Sequence, residues 1–210
     1  MTYKQLNWKF AEEFVAERPD IAGVRQHALE LGVEAISPAM GAQVAVLAAA
    51  TGASNIIEIG TGLGVSGLWL FTGAPHAMLT SIDTETDYQT SARRAFLAAG
   101  VPANRVRLIA GRARDVLPRM NEQSYDLVLV DADPGSVLEY VEHGIRLVRP
   151  GGTVLVAHAL WRGRVADPAH RDDTVAVFRT LLGEIADSDA VICALSPVGD
   201  GLLQITRVAE

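Results

Sequence analysis

Glu58-Ile59-Gly60-Thr61-Gly62-Leu63-Gly64-Val65-Ser66 joins two short apolar runs, and the way it is read decides the fold. The run before it, residues 56–59, has the length and composition of a strand; the run after it, near residues 66–71, continues as a helix. Glycines at 60, 62 and 64 permit a tight turn and let a ligand come close to the backbone. Dinucleotide enzymes use a related turn, and a tight strand–helix turn also occurs with no ligand, so the stretch fixes a βα unit before it fixes a function.

The same alternation continues outward from this turn. Strands are expected at 78–82, 106–109, 127–130 and 153–156, with helices at 87–99 and 135–148 between them and glycine or Pro-Gly stops at Gly73, Gly100 and Pro150-Gly151. Strands alternating with helices of this length call for a parallel sheet covered on both faces. A polar loop, 158–172, leads to a helix near 174–185. The last strands, 190–195 and 202–208, are joined through Asp200-Gly201 as an antiparallel hairpin. The first fifty residues read as helical: Asp20 caps a helix that ends at Gly32, and Ser37-Pro38 opens another that ends at Thr51-Gly52. The expectation is one doubly wound α/β domain over 1–210, with a helical segment (1–52) ahead of a seven-stranded, mainly parallel core (53–210).

Three carboxylates fall at strand ends on the side where open α/β sheets bind ligands. Asp83 ends the second strand, where a carboxylate accepts both hydroxyls of a ribose or else caps the next helix. Asp131 ends the fourth in the run Val130-Asp131-Ala132-Asp133, which places it in the site. Glu58 precedes the glycines. There it would face the cationic end of a methionine-bearing cofactor, whereas it would repel the pyrophosphate of a dinucleotide.

Composition narrows the partners. A formal net charge of -7 without a run of Lys or Arg argues against a nucleic-acid backbone and for a small-molecule substrate. No apolar run approaches the roughly 18–20 residues of a membrane span, and the N-terminus lacks the pattern of a secretory signal. Cys193 is the single cysteine, which excludes an internal disulfide and fits a reducing, cytoplasmic setting; in an apolar strand it reads as a core residue.

Taken together, these motifs resemble the class I S-adenosylmethionine-dependent methyltransferases. More narrowly, they resemble the cation-dependent O-methyltransferases typified by the caffeoyl-CoA and catechol enzymes. The resemblance runs from about Ile36 to the C-terminus and is carried by Ser37-Pro38 with Gly41, Glu58-Ile59-Gly60-Thr61-Gly62, Ser66 and Ile82-Asp83. Further marks are Gly111-Arg112-Ala113, Val130-Asp131-Ala132-Asp133, Arg149-Pro150-Gly151-Gly152, Leu160-Trp161 and Pro197-Val198-Gly199-Asp200-Gly201. It implies a Rossmann-like methyltransferase fold, S-adenosylmethionine as cofactor, and a homodimer that uses the N-terminal helices and last hairpin. It also implies a cofactor site in which Glu58, Gly60, Thr61, Gly62 and Ser66 surround the methionine and sugar. Asp83 would hold the ribose with Thr84 beside it, Arg112 and Ala113 would border the adenine, Asp131 would approach the methionine amino group, and the chain near Ile36 would close over the cofactor.

The sequence departs from the family at its cation. The family holds a divalent metal with the first acid of Asp-Ala-Asp and with an Asp-Asn pair after the fifth strand; here Ala157 and His158 replace that pair, and Pro134 replaces a lysine. A hard cation wants several oxygen ligands, so a metal is doubtful and none is assigned. His158 is then the nearest group to take a proton, since imidazole suits general-base work near neutral pH, although it would also serve as a simple loop hydrogen-bonder. Trp161 either stacks on an aromatic acceptor or anchors its loop. Arg162 and Arg164 either meet an anionic acceptor or are solvated. The function implied is methyl transfer to a hydroxyl of a small, aromatic acceptor with weak or absent cation dependence, with Asp131, His158 and Trp161 at the acceptor. The alternatives are a non-oxygen acceptor and a cofactor-binding protein without catalysis.

Overall fold

The structure, a computed structural model, describes residues 2–208; positions 1, 209 and 210, at the ends of the expected domain span, lie outside it. Among these residues the helical segment contains α1 (Tyr3–Glu13), α2 (Pro19–Glu30) and α3 (Pro38–Ala50). Then β1 (Asn55–Ile59), α4 (Val65–Gly73), β2 (Met78–Asp83), α5 (Thr86–Ala98), β3 (Val106–Ala110), α6 (Ala113–Val116) and β4 (Tyr125–Val130) follow in order. The chain ends with α7 (Val137–Leu147), β5 (Val148–Val156), α8 (Asp173–Ala186), β6 (Val191–Ser196) and β7 (Leu202–Arg207). None of the described helices is long and apolar enough to cross a membrane.

Local chemistry sets most of the helix starts. Ser37 accepts a hydrogen bond from the Met40 backbone and Pro38 occupies the first turn of α3, as expected. Asp172 caps α8 in the same way through Val175. The expectation for Asp20 was wrong. Pro19 begins α2 and Arg18 is the flanking residue, so Asp20 lies inside the first turn, where it pairs with Arg18 at 2.6 Å and meets the positive end of the helix dipole. The strand expected at 153–156 starts five residues earlier. Pairing of Tyr125 with Val148 shifts register before Leu127 meets Thr153, which lets Pro150-Gly151-Gly152 pass as an irregularity within β5.

The sheet order is β3-β2-β1-β4-β5-β7-β6, parallel except where β7 runs antiparallel to both β5 and β6. Side chains alternate between its faces. Ile56, Leu79, Leu127, Leu129 and Leu155 pack under α2 to α5. Ile57, Ile59, Ile82, Val128, Val130, Val154 and Val156 pack with residues of α7 and α8. β6 is the outer edge. Cys193, expected in the core, is exposed there, because an edge strand has one free side and its neighbours Ile192 and Leu195 also face out.

Candidate functional site

Strand register assembles the site. Ile59 pairs with Ile82 on one side and Val130 on the other, and Val130 pairs with Val156. One step further along each parallel strand stand Gly60, Asp83, Asp131 and Ala157, all at the carboxyl edge. β1 is also where the strand order reverses, since β2 leaves to one side and β4 lies on the other; this is the switch point at which such sheets open a crevice. Gly60 is required at this point: its φ is +94°, and a β-carbon there would lie 1.8 Å from the carbonyl oxygen of Asp131. Only glycine lets the β1–α4 turn pass this close to the end of β4.

The crevice is a cavity of about 490 Å3, within the ~300–1,000 Å3 range of small-molecule sites. Gly60, Thr61, Gly62, Ser66, Asp83, Thr84, Arg112, Ala113 and Asp131 all line it. Asp83 reaches its position through the backbone: its carboxylate accepts from the Gly62 and Glu85 amides, each at 2.9 Å, which ties the glycine turn to the end of β2. Arg112 flanks the start of the short helix α6, which the sequence reading did not foresee. The chain near Ile36 meets the cavity through Val33, Glu34 and Ala35, while Ile36 itself is fully buried in the core.

Glu58 lies on the α4 face of β1, fully buried behind the glycine turn and outside the cavity lining. Its two oxygens accept from the hydroxyls of Ser66 at 2.7 Å and Ser81 at 2.5 Å. Thr61 lies 2.7 Å from Ser81 and completes a chain of hydroxyls beneath the turn. Burial pushes the Glu58 carboxyl up to about 7 against the two serine hydrogen bonds, with Asp131 and Asp83 adding to the rise. Asp131 is raised as well, chiefly by desolvation; His158 opposes the rise and Glu34 adds to it. Further along the wall, Asp133 accepts from the Tyr140 hydroxyl at 2.6 Å, and burial with that bond pushes the phenol up to about 12.

Beyond Asp131 the loop after β5 presents His158. Its Nε2 lies 3.4 Å from Asp131 and its Nδ1 lies 3.6 Å from Asp200, so the ring stands between two carboxylates. His158, Trp161 and Arg162 all have left-handed backbones, with φ of 58°, 44° and 57°. Each such non-glycine residue costs of order 1–2 kcal/mol, a concentration that persists only where surroundings enforce it. The enforcement is visible. Ala159 and Leu160 donate to the carbonyls of Gly201 and Asp200, each at 2.9 Å, and the Asp200 carboxylate accepts from the Arg162 amide.

Trp161 stacks on Phe178 of α8 with ring centroids 5.7 Å apart, which is the anchoring role; neither it nor His158 lines the cofactor-sized cavity. Arg162 makes a bidentate pair with Glu34, both contacts at 2.8 Å, and Arg164 pairs with Asp172 at 2.7 Å, so both arginines are engaged within the chain. Sequence reasoning did not single out Glu34 or Tyr140, and read Asp200 only as a residue of the hairpin turn and of a family mark. Asp200 had a readable signal, because an antiparallel β7 beside β5 must begin at the edge where β5 ends. Tyr140 follows Val137 at helical spacing on the buried side of α7; Glu34 carried no signal.

The chain matches the O-methyltransferase family across residues 20–208. It is 45% identical over 198 residues to a Mycolicibacterium vanbaalenii protein whose name assigns it to the O-methyltransferases, covering 94% of this chain and 88% of that one. Among solved structures, a Corynebacterium glutamicum protein superposes with a TM-score of 0.88 at 29% identity, covering 99% of this chain and 98% of that one. The O-methyltransferase TomG of Streptomyces achromogenes, involved in tomaymycin synthesis and solved with S-adenosylmethionine, superposes with a TM-score of 0.83 at 30% identity over the whole of both chains. With this match over nine-tenths of its length and a Rossmann-like crevice at the switch point, the chain belongs to the O-methyltransferase family and is an S-adenosylmethionine-dependent methyltransferase.

Proposed function

We propose that this enzyme methylates a hydroxyl of a small aromatic acceptor without a divalent cation, with His158 taking the hydroxyl proton. The observation that carries the reading is the ring of His158 set against Asp131 at the carboxyl edge of the sheet. The O-methyltransferase names of its relatives support an oxygen acceptor.

The cavity fits the cofactor by its donor set. It offers desolvated carboxylate at Asp131 for a cationic amino acid end and backbone-fixed carboxylate at Asp83 for ribose hydroxyls. Gly60, Thr61, Gly62 and Ser66 would bound the methionine and sugar, Thr84 would lie beside the ribose, and Arg112 with Ala113 would flank the adenine. The segment before Ile36 would cover the bound molecule, and Glu58 would act on it only through the serine hydroxyls in front of it. S-adenosylmethionine supplies a methyl group on a positively charged sulfur that leaves with the C–S electron pair. His158 would hold the acceptor oxygen's proton on Nε2 as the new O–CH3 bond forms. Asp131 would balance the charge this creates on the ring.

The family's cation does not fit these residues. Among the described residues no group of three or more His, Cys, Asp or Glu side chains is placed to share one ion. The two nitrogens of His158 face different carboxylates, so an ion at either would gain one oxygen ligand and one nitrogen in place of the oxygen shell that magnesium requires.

We also read the working form as a cytoplasmic homodimer. Tyr3 and Phe10 of α1 and Phe14 just after it are 82%, 72% and 74% exposed, and β6 offers an open edge with Ile192 at 68%. Apolar area of this kind on one chain is commonly covered by a second copy.

The test begins with chelator-treated protein. Titration of S-adenosylhomocysteine should give saturable binding; subsequent magnesium or manganese should give no heat beyond dilution. Labelled S-adenosylmethionine is then offered with a panel of phenols, catechols and hydroxyquinones. Micromolar binding of either metal, or transfer only to amines or thiols, would overturn the reading.

A further inference from the structure

We propose that Asp200 is the positioning residue of an Asp200–His158 dyad: its carboxylate holds the proton of His158 on Nδ1 and leaves Nε2 free to face the acceptor. This rests on His158 being the base in the reaction proposed above.

The geometry is directional. Nε2 is the nitrogen on the Asp131 side, and Asp131 lines the cofactor cavity; Nδ1 is the nitrogen on the Asp200 side, away from it. A neutral imidazole carries one N–H, and the partner of one nitrogen decides which form the ring takes. An ionised carboxylate only accepts, so Asp131 at 3.4 Å favours a proton on Nε2 in the empty site, as Asp200 favours one on Nδ1. With the cofactor bound, its cationic amino group engages Asp131, and Asp200 then decides the ring's form, the one whose Nε2 lone pair can accept a proton. At 3.6 Å the contact is longer than a hydrogen bond, as catalytic contacts often are before the reacting complex forms.

Asp200 is itself fixed. It lies in the turn before β7, whose antiparallel pairing of Leu203 with Val156 brings that turn beside the end of β5. Its carbonyl receives the Leu160 amide at 2.9 Å and its Oδ1 receives the Arg162 amide, which leaves Oδ2 for His158. Two of the three strained residues of the loop, His158 and Arg162, therefore meet at one side chain. Arg162 extends the arrangement by clamping Glu34 at the mouth of the cofactor cavity, so the dyad and the cavity wall share a support.

The Arg162 amide also makes the test selective. In Asp200→Asn the amide oxygen keeps the Arg162 N–H, which turns the NH2 towards Nδ1. A donor there forces Nδ1 to accept and moves the ring proton to Nε2, disabling the base without removing a side chain.

The experiment is long-range 1H–15N NMR of the 15N-labelled full chain saturated with S-adenosylhomocysteine at alkaline pH. Among the five histidines, the His158 ring is assigned by its loss in His158→Gln. The expected result is Nδ1–H in the wild type and Nε2–H in Asp200→Asn. S-adenosylhomocysteine affinity should stay within about twofold, and kcat with the best panel acceptor should fall roughly 10²–10⁴-fold at unchanged cofactor KM. An Nε2–H ring in the wild type, or a ring state unmoved by Asp200→Asn, overturns the proposal; the wild-type spectrum decides alone if the variant does not fold. Full turnover by His158→Gln would instead overturn the reading of His158 as base. Full turnover by Asp200→Asn beside an inactive His158→Gln would overturn only the role of Asp200.

Discussion

Glu58 has no exposed surface, yet it keeps an ionisable group behind the glycine turn. Burial raises its carboxyl from an ordinary 4.5 to about 7, which makes the folded protein the better proton binder between those values. The stability this contributes is fully present at the acid end of the window and is lost as pH rises through about 7. Across the window the loss is roughly 3 kcal/mol, at about 1.4 kcal/mol per pH unit. Glu58→Gln should flatten that slope. Denaturant unfolding of both proteins at about pH 5 and about pH 8 checks it: the variant should lose less stability on going alkaline, and parallel losses would refute the assignment. The acidic residue was legible in the sequence because it precedes the glycines. Its burial was not, because the alternation of a strand does not say which face a helix N-terminus will cover.

At the scale of elements, the βα alternation and the glycine turn were legible because parallel strands buried on both faces must be apolar and their turns must be tight. Nine of the expected cofactor residues line one cavity for the same reason: strand ends in register fall at one edge. What could not be read was contact between loops distant in sequence. Arg162 and Glu34 are 128 residues apart and join two irregular segments, each with no period of its own. Their side chains are 65% and 64% exposed, so the pair contributes at most about 1 kcal/mol to stability. Its effect should be kinetic. Arg162→Ala is expected to unfold within about 1 kcal/mol of the wild type while releasing S-adenosylhomocysteine several-fold faster in stopped-flow displacement. An unchanged release rate would contradict the clamp. Cys193 and Asp20 show the complementary failure, in which local pattern was read correctly as strand or helix start but the strand's edge position and the proline one residue earlier decided the outcome.

For the whole molecule, the apolar face of α1 and the open edge of β6 predict association. Light scattering at micromolar protein should give twice the chain mass, and replacing Phe10 and Phe14 with Ser should shift it to the monomer; a wild-type monomer would refute the homodimer. In this chain the loop after β5 sets the His158 imidazole against Asp131, and the turn before β7 supplies the Asp200 carboxylate on its other side. The most direct measurement is the initial rate of methyl transfer from S-adenosylmethionine to the best panel acceptor, in excess chelator and in magnesium, for the wild type and His158→Gln. Equal wild-type rates in the two conditions and a roughly 10²–10⁴-fold loss in the variant are expected. A wild-type rate abolished by chelator and restored by magnesium would contradict cation-free transfer.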